Sequence, residues 1–412
     1  MTNLHAVLGS AGTGKTTLIK EKEGLLLTAS TGIAALNLGG NCRTINSVLG
    51  YYDSDDLQLQ IDKGNVLKNL FKVSSMYKGI AIDEVGMKPG KEIDKLAFAV
   101  LSHNKVLNEN NKLKKKHNQL DSYYLGDIGQ LGPPTEENDP FHKASVWRHV
   151  SVTYLSEIKR QNDPEFIHAV GQLRFGRVRN VVDWFASKVE FSKSLDMNFK
   201  GSTCFPTNKQ VDEYNEFQMS KLKTPEHKYY SEVSGVPSRD WKNIPEELTV
   251  KVGMKVMILS NNFEERYANG DLGTIVDCFP KGVLVELNRD DRQVLVQYRS
   301  LDNTIISSKK DGGAYQKRIG NIQYLPIRQG YSSTVHKLQG LTLSDLQLDV
   351  THRFFSRLSG GLYTGITRVT DYKGLKIVGT KDDFIRACYI NPIYLDYLLK
   401  LDSQFNPQLM AA

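Results

Sequence analysis

Apolar and polar residues alternate along the chain in blocks that have the lengths of strands and helices. The apolar run Leu4 to Leu8 has the character of a strand and is followed, after a glycine-rich stretch, by the helix-like segment Thr17 to Lys22. A second apolar run, Gly79 to Ile82, ends in two acidic residues. Residues 1–48 and 76–150 continue this alternation, which is typical of a parallel, doubly wound sheet.

The segment between these two stretches has a different pattern. Tyr51 to Lys72 alternates acidic and aliphatic residues around the turn-like Asp62 to Asn65. We therefore predict a small insert at 49–75, either a hairpin or a helical wedge, with a plain surface loop as the alternative.

The second half of the chain predicts another α/β domain with its own interruption. This domain is expected at 151–275 and 326–400, beginning with Val152 to Leu155. Residues 276–325 are instead rich in β-formers and turns, which predicts a small β-barrel. The expected fold class is therefore α/β with two stacked domains and two inserts, and the tail after Phe405 is expected to be loose.

Composition narrows the class of protein without deciding it. The 412 residues carry a formal net charge of +7, a modest basic excess that favours a phosphate-rich partner. The four cysteines lie far apart and form no C-x-x-C pair, so we expect neither a zinc site nor a disulfide framework. No apolar run is long enough to cross a bilayer. These features predict a cytoplasmic protein without a membrane partner, located in the host cytoplasm if a phage encodes it.

The glycine-rich stretch carries the most specific signal. Gly9 to Thr16 fits the pattern G-x-x-x-x-G-K-[ST] between a strand and a helix, which is the context of a P-loop and not merely of a turn that starts a helix. Backbone N–H groups of such a loop surround phosphates, the lysine reaches the outer phosphates and the threonine hydroxyl faces Mg²⁺. We predict ATP as the cofactor. The residues expected to bind it are Gly9, Gly12, Thr13, Gly14, Lys15, Thr16 and Thr17.

The two acids after the second apolar run complete this chemistry. Asp83 is expected to hold Mg²⁺ together with Thr16, and Glu84 is placed where a general base could activate water. Hydrolysis is therefore favoured over transfer of the phosphoryl group to a metabolite. The alternative is an ordinary strand that ends in a solvated acidic pair.

The order of motifs along the chain resembles superfamily 1 helicases of the 5′-to-3′ branch, especially the phage Dda and RecD-like helicases. The blocks that carry this resemblance are Gly9 to Thr16, Thr28 to Ala35, Asp83 to Met87, Gly126 to Pro134, Leu155 to Arg160, Tyr331 to Gly340 and Tyr363 to Arg368. Together they span nearly the whole chain. The resemblance implies two RecA-like motor domains, with an SH3-like module as the β insert at 276–325 and a strand-splitting wedge at 49–75.

The resemblance also implies roles at the nucleotide. Gln130 would sense the γ-phosphate, while Arg160 and Arg368 would reach the same phosphate in a cleft between the domains. Gly340, at the end of its block, would lie against the nucleotide. One departure concerns the adenine: family members usually carry a glutamine-containing segment well upstream of the P-loop, and here eight residues precede Gly9, so base specificity is left open.

Nucleic-acid contacts follow from the same family positions. Hydroxyl and amide side chains at these positions suit contacts to phosphates, and such contacts do not depend on the base sequence. The set comprises Thr31, Asn46, Thr207, Asn208, Thr334 and His336. For a lone Thr or Asn, a helix cap or a turn is the simpler interpretation, and Asn46 stands where relatives often have histidine. On the β insert, Lys309, Lys310, Lys317 and Arg318 could brace the wedge or touch DNA.

The sequence thus predicts a DNA-stimulated ATPase that acts as a monomeric DNA helicase, moving 5′ to 3′ on single-stranded DNA. Forked or tailed duplex DNA is the expected substrate, in replication or recombination, and replication proteins are candidate partners. A translocase that does not separate strands, a P-loop kinase and a non-catalytic nucleic-acid-binding subunit are the alternatives. The kinase would not need the Gln130 block or Arg368, and the intact Lys15, Thr16, Asp83 and Glu84 disfavour the non-catalytic subunit.

Overall fold

A computed structural model of the chain describes residues 4–38, 42–133, 139–260, 262, 264–265, 267, 269–308 and 314–405. The three largest apolar cores of the described residues lie in the second α/β domain, in the first α/β domain, and between the β insert and the adjoining part of the second domain. Within the described residues, no helix combines the length and the apolar character needed to cross a membrane.

The first domain is built around a six-stranded parallel sheet of order β3-β2-β4-β5-β1-β6. Its elements are β1 (Leu4–Gly9), α1 (Lys15–Lys20), β2 (Leu25–Ala29), α2 (Gly32–Leu38), β3 (Arg43–Thr44), α3 (Ile45–Leu49), α4 (Ser54–Asp62), α5 (Asn65–Ser74), β4 (Gly79–Asp83), α6 (Gly90–Glu109), α7 (Asn111–Lys114), β5 (Asp121–Gly126) and β6 (Ser151–Leu155). Because β1, β4 and β5 are neighbours and parallel, the residues that follow them meet at one edge of the sheet.

The boundary predicted at residue 150 is wrong. Ser151–Leu155 does not open the second domain, because it pairs in parallel with β1, from His5 opposite Ser151 to Gly9 opposite Leu155. The same alternation of side chains would suit an edge strand of either sheet, so the local pattern could not assign it.

The predicted insert at 49–75 is helical. Asp53 caps α4 by accepting from two backbone N–H groups, and Gly64, with a φ of 72°, makes the turn into α5. Val66, Leu70 and Val73 of α5 are buried in the core of the first domain. Of the two forms predicted, the structure therefore has the helical one, and it is part of the first domain's core.

The second domain begins with α8 (Pro164–Arg174) and has a five-stranded parallel sheet of order β19-β8-β20-β21-β7. Before the insert come α9 (Val182–Lys188), β7 (Glu190–Ser192), β8 (Ser202–Phe205) and α10 (Asn208–Ser220). The insert then supplies β9 (Glu226–Tyr230), β10 (Glu232–Gly235), β11 (Glu247–Lys251), β12 (Lys255–Ile258), β13 (Leu272–Phe279), β14 (Gly282–Leu287), β15 (Gln293–Gln297), β16 (Arg299–Ser308), β17 (Ala314–Tyr324) and β18 (Ile327–Gln329). After it come β19 (Ser332–Thr334), α11 (Val335–Leu338), β20 (Leu346–Asp349), α12 (Gly361–Ile366), β21 (Leu375–Val378), α13 (Lys381–Ala387) and α14 (Pro392–Phe405).

The β insert is larger than the predicted 276–325. It begins at β9 and ends at β18, and it contains a five-stranded sheet of order β15-β14-β13-β12-β18 together with the smaller sheets β11-β9 and β10-β17-β16. The underestimate arose because strands such as Glu226–Tyr230 are short and largely exposed, so they lack the apolar runs that mark β14 and β15.

The long β16–β17 hairpin reaches the first domain. Arg43 Nη1 donates to the carbonyl oxygen of Thr304 at 2.6 Å, and Gln316 Nε2 donates to the hydroxyl of Tyr77 at 2.9 Å. The β insert thus contacts the first domain at Arg43 and Tyr77, which lie on either side of the helical insert in the sequence. Lys317 and Arg318 are exposed on β17, whereas Lys309 and Lys310 lie outside the described residues, as does the tail after Phe405.

The position of the C-terminal helix shows that the predicted end of the second domain, at residue 400, is also wrong. The sequence predicts that residues 326–400 belong to the second domain, but Tyr394, Leu398 and Leu401 of α14 are buried in the first domain's core. Trp147 Nε1 also donates to the hydroxyl of Tyr397 at 2.6 Å. The chain therefore returns to the first domain at its end, which ties the two domains together by a second connection.

Candidate nucleotide and nucleic-acid sites

The glycine-rich loop joins the carboxyl end of β1 to α1. Gly12 and Gly14 have φ values of 79° and 82°, which non-glycine residues rarely adopt. A Cβ on Gly12 would also lie 2.6 Å from the Cβ of Arg160. The ammonium of Lys15 donates to the carbonyl oxygens of Gly9 and Ser10, at 3.0 and 2.8 Å, and its burial lowers its pKa.

Thr16 and Asp83 lie together at the sheet edge, as their motifs predicted. The Thr16 hydroxyl donates to Asp83 Oδ2 at 2.7 Å, which places two oxygen ligands of the kind that Mg²⁺ prefers within one hydrogen bond. Burial raises the pKa of Asp83 despite this bond. Across the described residues no group of three or more His, Cys, Asp or Glu side chains could hold a metal by itself, so an ion here would also need oxygens from a ligand.

Glu84 follows directly and has an unusual backbone. Its φ of 53° lies in the left-handed region, which is uncommon for a residue with a side chain and recurs at functional sites. The Ser30 hydroxyl donates to its carbonyl oxygen at 2.7 Å and holds this conformation. Burial, and then the neighbouring Asp83, raise the pKa of its carboxyl group.

The three predicted sensors of the γ-phosphate converge on the same cleft. Arg160 Nη1 donates to the carbonyl oxygen of Thr367 at 3.0 Å, and Arg368 is almost fully buried. Burial, and then the adjacent Arg160 charge, lower the pKa of Arg368 to about 9. Gln130 is buried with no partner for its Oε1 among the described residues. All three residues line the same cleft, although the Arg368 guanidinium donates to oxygens of Thr364 and Thr367.

This nucleotide cleft has a volume of about 560 Å³ and is lined from both domains. The predicted residues that line it are Gly12, Gly14, Lys15, Thr16, Thr17, Asp83, Glu84, Gln130, Arg160, Gly340 and Arg368. Gly9 and Thr13 do not line it but support the loop, since Gly9 accepts from Lys15 and the Thr13 hydroxyl donates to the Ser10 carbonyl oxygen at 2.9 Å.

Sequence reasoning missed a buried network behind the cleft. Arg174 of α8 donates to Asp127 Oδ1 through Nε and Nη2, at 3.0 and 2.8 Å, and the Tyr363 hydroxyl donates to Asp127 Oδ2 at 2.8 Å. Tyr363 in turn accepts from the backbone N–H of Ala11 in the phosphate loop at 3.0 Å. Although burial opposes it, Arg174 and then Lys15 hold the pKa of Asp127 below its usual value. Two second-domain side chains thus meet one first-domain carboxylate.

A second cleft, of about 520 Å³, contains five of the six predicted nucleic-acid residues. These are Thr31, Thr207, Asn208, Thr334 and His336, and the lining also includes Ala34, Glu84, Met87, Pro206, Lys337, Gln339 and Phe354. We call it the second cleft below. Phe354 and Gln339 were not predicted, because neither an aromatic residue nor an amide stands out locally in its block.

Two of these threonines also cap helices. The Thr207 hydroxyl accepts from the backbone N–H of Gln210 at 3.4 Å at the start of α10, and Thr31 accepts from Ala34 at 3.2 Å. Both threonines therefore cap helices, which is the simpler interpretation of a lone threonine. The same two residues also line the second cleft. Burial lowers the pKa of His336, so its ring is neutral at pH 7.

Asn46 does not belong to this group. Its Oδ1 accepts from the ammonium of Lys88, and its Nδ2 donates to the carbonyl oxygen of Tyr52 at 3.0 Å. Asn46 lines neither cleft. Both ends of the amide hold α3 against its neighbours in this structure, and the assignment of Asn46 as a DNA-binding residue stays a prediction.

Comparisons with known proteins agree with this arrangement. The model of the PIF1-like helicase family matches residues 2–183. The ATP-dependent DNA helicase Pif1 of Bdellovibrio bacteriovorus is 28% identical over 94% of this chain and 86% of its own, and that of Campylobacter jejuni is 26% identical over 96% and 92%. Residues 2–183 are thus similar to PIF1-like helicases, and the two bacterial Pif1 helicases are similar to this chain along most of its length. These similarities agree with the resemblance to the 5′-to-3′ branch of superfamily 1 that the motif order indicated.

Solved Pif1 structures share the fold. The crystal structure of Pif1 from Bacteroides sp. with ADP-AlF4 matches 98% of this chain and 94% of its own, with a TM-score of 0.78 and 22% identity. Pif1 from Candida albicans matches with a TM-score of 0.66 and 23% identity over 97% of this chain and 96% of its own. The α/β fold with parallel sheets is therefore that of Pif1-like helicases along nearly the whole chain.

Proposed function

We propose that this protein is an ATP-dependent DNA helicase that moves 5′ to 3′ along single-stranded DNA and unwinds duplex DNA. The observation that carries the proposal is the pair of adjacent clefts, each lined from both domains. A ligand in either cleft must respond to movement between the domains, which is the geometry that a two-domain motor requires. Relatives support the substrate: Bacteroides Pif1 is known with single-stranded DNA and with nucleotide analogues.

In the nucleotide cleft, Lys15 and the loop N–H groups bind the phosphates. Arg160 and Arg368 stabilise the charge that develops on the γ-phosphate, and Gln130 contacts the same group. Glu84 accepts the proton of the attacking water. Thr16 and Asp83 would hold Mg²⁺, which neutralises phosphate charge when it is bound. ATP draws the domains together through both arginines, and its hydrolysis releases them.

In the second cleft, Thr31, Thr207, Asn208, Thr334 and His336 contact the phosphate backbone of one strand. Hydroxyl, amide and ring N–H groups of this kind carry no base specificity, so binding is tolerant of sequence. The β9–β18 insert acts as the family's SH3-like module, and its β16–β17 hairpin contacts the residues on either side of the α4–α5 wedge, Arg43 before it and Tyr77 after it.

The deciding experiment is steady-state ATP hydrolysis with and without an unstructured single-stranded DNA, for the wild type and for Lys15→Ala. We expect strong stimulation by DNA that is lost in Lys15→Ala, followed by unwinding of a 5′-tailed and not a 3′-tailed duplex. A rate of ATP turnover that is the same with and without DNA would favour a P-loop kinase. Stimulation without strand separation would favour a translocase.

Salt provides an independent prediction. Because the cationic Lys337 lines the second cleft beside the proposed phosphate contacts, the affinity for single-stranded DNA should fall linearly on a log–log plot against salt, with a slope of about −0.7 for each phosphate that a cationic side chain neutralises. Fluorescence anisotropy over a salt series measures this slope. An affinity that does not change with salt would contradict backbone binding in the second cleft.

A further inference from the structure

The nucleotide cleft and the second cleft share a wall. Ala34 and Glu84 line both of them. Glu84 is the residue to which the proposed function assigns the proton of the attacking water. The side chain on which hydrolysis depends is therefore also part of the surface that the nucleic acid would occupy.

Gln339 contacts this carboxylate from the side of the second cleft. It follows α11 directly, its side chain lines the second cleft, and it is only 7% exposed. Its Nε2 donates to Glu84 Oε2 at 3.0 Å. An amide nitrogen carries two N–H groups, so the same side chain can hold Glu84 with one and meet an acceptor with the other.

The backbone around Gln339 fixes this position. Its carbonyl oxygen accepts from Asn37 Nδ2 of the first domain at 3.3 Å. The next residue, Gly340, has a φ of 80° and approaches the same Asn37 so closely that a Cβ would lie 2.9 Å from its Nδ2. Gly340 already lines the nucleotide cleft. The segment Gln339–Gly340 thus passes from one cleft to the other at the place where the two domains touch.

We propose that Gln339 is a positioning residue through which occupancy of the second cleft sets the orientation of Glu84 and so raises ATP turnover. The inference rests on the proposed function. A strand whose phosphates contact Thr334 and His336 lies beside α11, and any shift of that helix moves Gln339 with it. Because Gln339 is hydrogen-bonded to Glu84, the carboxylate moves relative to the phosphate loop. The nucleic acid need not touch the nucleotide cleft itself.

The test separates the binding of DNA from the response to it. Gln339→Met keeps the length of the side chain but removes its N–H donors, while Thr207→Val, as the matched control, removes one hydroxyl from the same cleft away from Glu84. ATP turnover is measured over a titration with single-stranded DNA. For Gln339→Met we expect the maximal stimulated rate to fall about 10- to 150-fold, the range for losing a hydrogen bond to a charged group, with the half-saturating DNA concentration changed by less than about threefold.

Thr207→Val should instead weaken the binding of DNA and leave most of the maximal rate. The half-saturating concentration should rise about 2- to 10-fold, the range for one neutral hydrogen bond, while saturating DNA restores most of the maximal rate. Fluorescence anisotropy with labelled DNA and binding of a fluorescent ATP analogue show whether each variant is folded and still binds both ligands.

Each outcome is decisive. A normal maximal rate in Gln339→Met, or a loss of rate that follows a parallel loss of DNA affinity, would overturn the positioning role. If the wild type binds single-stranded DNA but its turnover does not respond, or if it does not bind at all, the proposed function itself fails and the positioning role of Gln339 falls with it.

Discussion

Replacing Glu84 by Gln is expected to lower DNA-stimulated ATP turnover by about 10²- to 10⁴-fold, the usual contribution of general-base catalysis. The amide has nearly the shape of the carboxylate but cannot accept the proton of the attacking water. The bonds that shape the backbone here, from Ser30 to the Glu84 carbonyl oxygen and from Thr16 to Asp83, do not involve the altered group. Binding of ATP and of single-stranded DNA should therefore persist while the chemical step is lost.

Glu21→Gln provides the matched control for this prediction. It makes the same change of charge on an exposed residue that ends α1, the helix of the phosphate loop, and it should leave turnover near the wild-type rate. The measurement is single-turnover hydrolysis at saturating DNA, together with equilibrium binding of both ligands. Turnover retained in Glu84→Gln would show that another group accepts the proton.

The parts of the site that could be predicted from sequence are those determined by neighbours along the chain. Gly12, Gly14, Lys15 and Thr16 lie within one loop, and their spacing alone fixes how the loop surrounds phosphates. Asp83 could be added because an apolar run that ends in acids brings its last residues to the edge of a parallel sheet. The Thr16–Asp83 hydrogen bond, across 67 positions, then follows from the order of the strands.

The features that sequence analysis missed depend on pairings between distant segments. Arg174 and Asp127 are 47 positions apart, and Tyr363 and Asp127 are 236 apart, so no local pattern relates them. Gln339 meets Glu84 across 255 positions for the same reason. Asn46 was assigned to DNA from a family position alone, and its bond with Lys88, 42 positions further on, could not be predicted from the local pattern.

The predicted domain boundaries were wrong for a related reason. β6 and α14 are an edge strand and a terminal helix, and each could satisfy its apolar residues against either domain. Their placement is decided by partners: β1 for β6, and the core around Trp147 for α14. Both errors concern how the domains are joined, and those joints are where a motor must transmit movement.

The buried ion pair at such a joint supports the other large prediction, that Arg174→Leu destabilises the folded chain by about 3–5 kcal/mol. The side chains of Arg174 and Asp127 are 3% and 0% exposed, so removing the guanidinium leaves a carboxylate in the interior without its bonded counter-charge and with only the weaker influence of Lys15. The Tyr363 hydroxyl would remain as a donor to Oδ2 but cannot neutralise the charge. Lys400→Ala, which breaks the exposed pair with Asp396, is the control and should leave the stability nearly unchanged because solvent screens that pair.

The pH dependence of this loss identifies its cause. In the wild type the pKa of Asp127 is lowered, so the pair persists at any pH above the ordinary Asp value near about 4. In Arg174→Leu, burial without the arginine should instead raise the pKa of Asp127 above its unfolded value. The folded variant then binds a proton that the unfolded chain has released, so its stability falls as the pH rises from about 4 through the raised pKa. Chemical denaturation from pH 8 down to pH 5 should therefore show the difference from the wild type shrinking towards acid, whereas a loss caused only by the missing packing of the arginine stem would stay constant across that range.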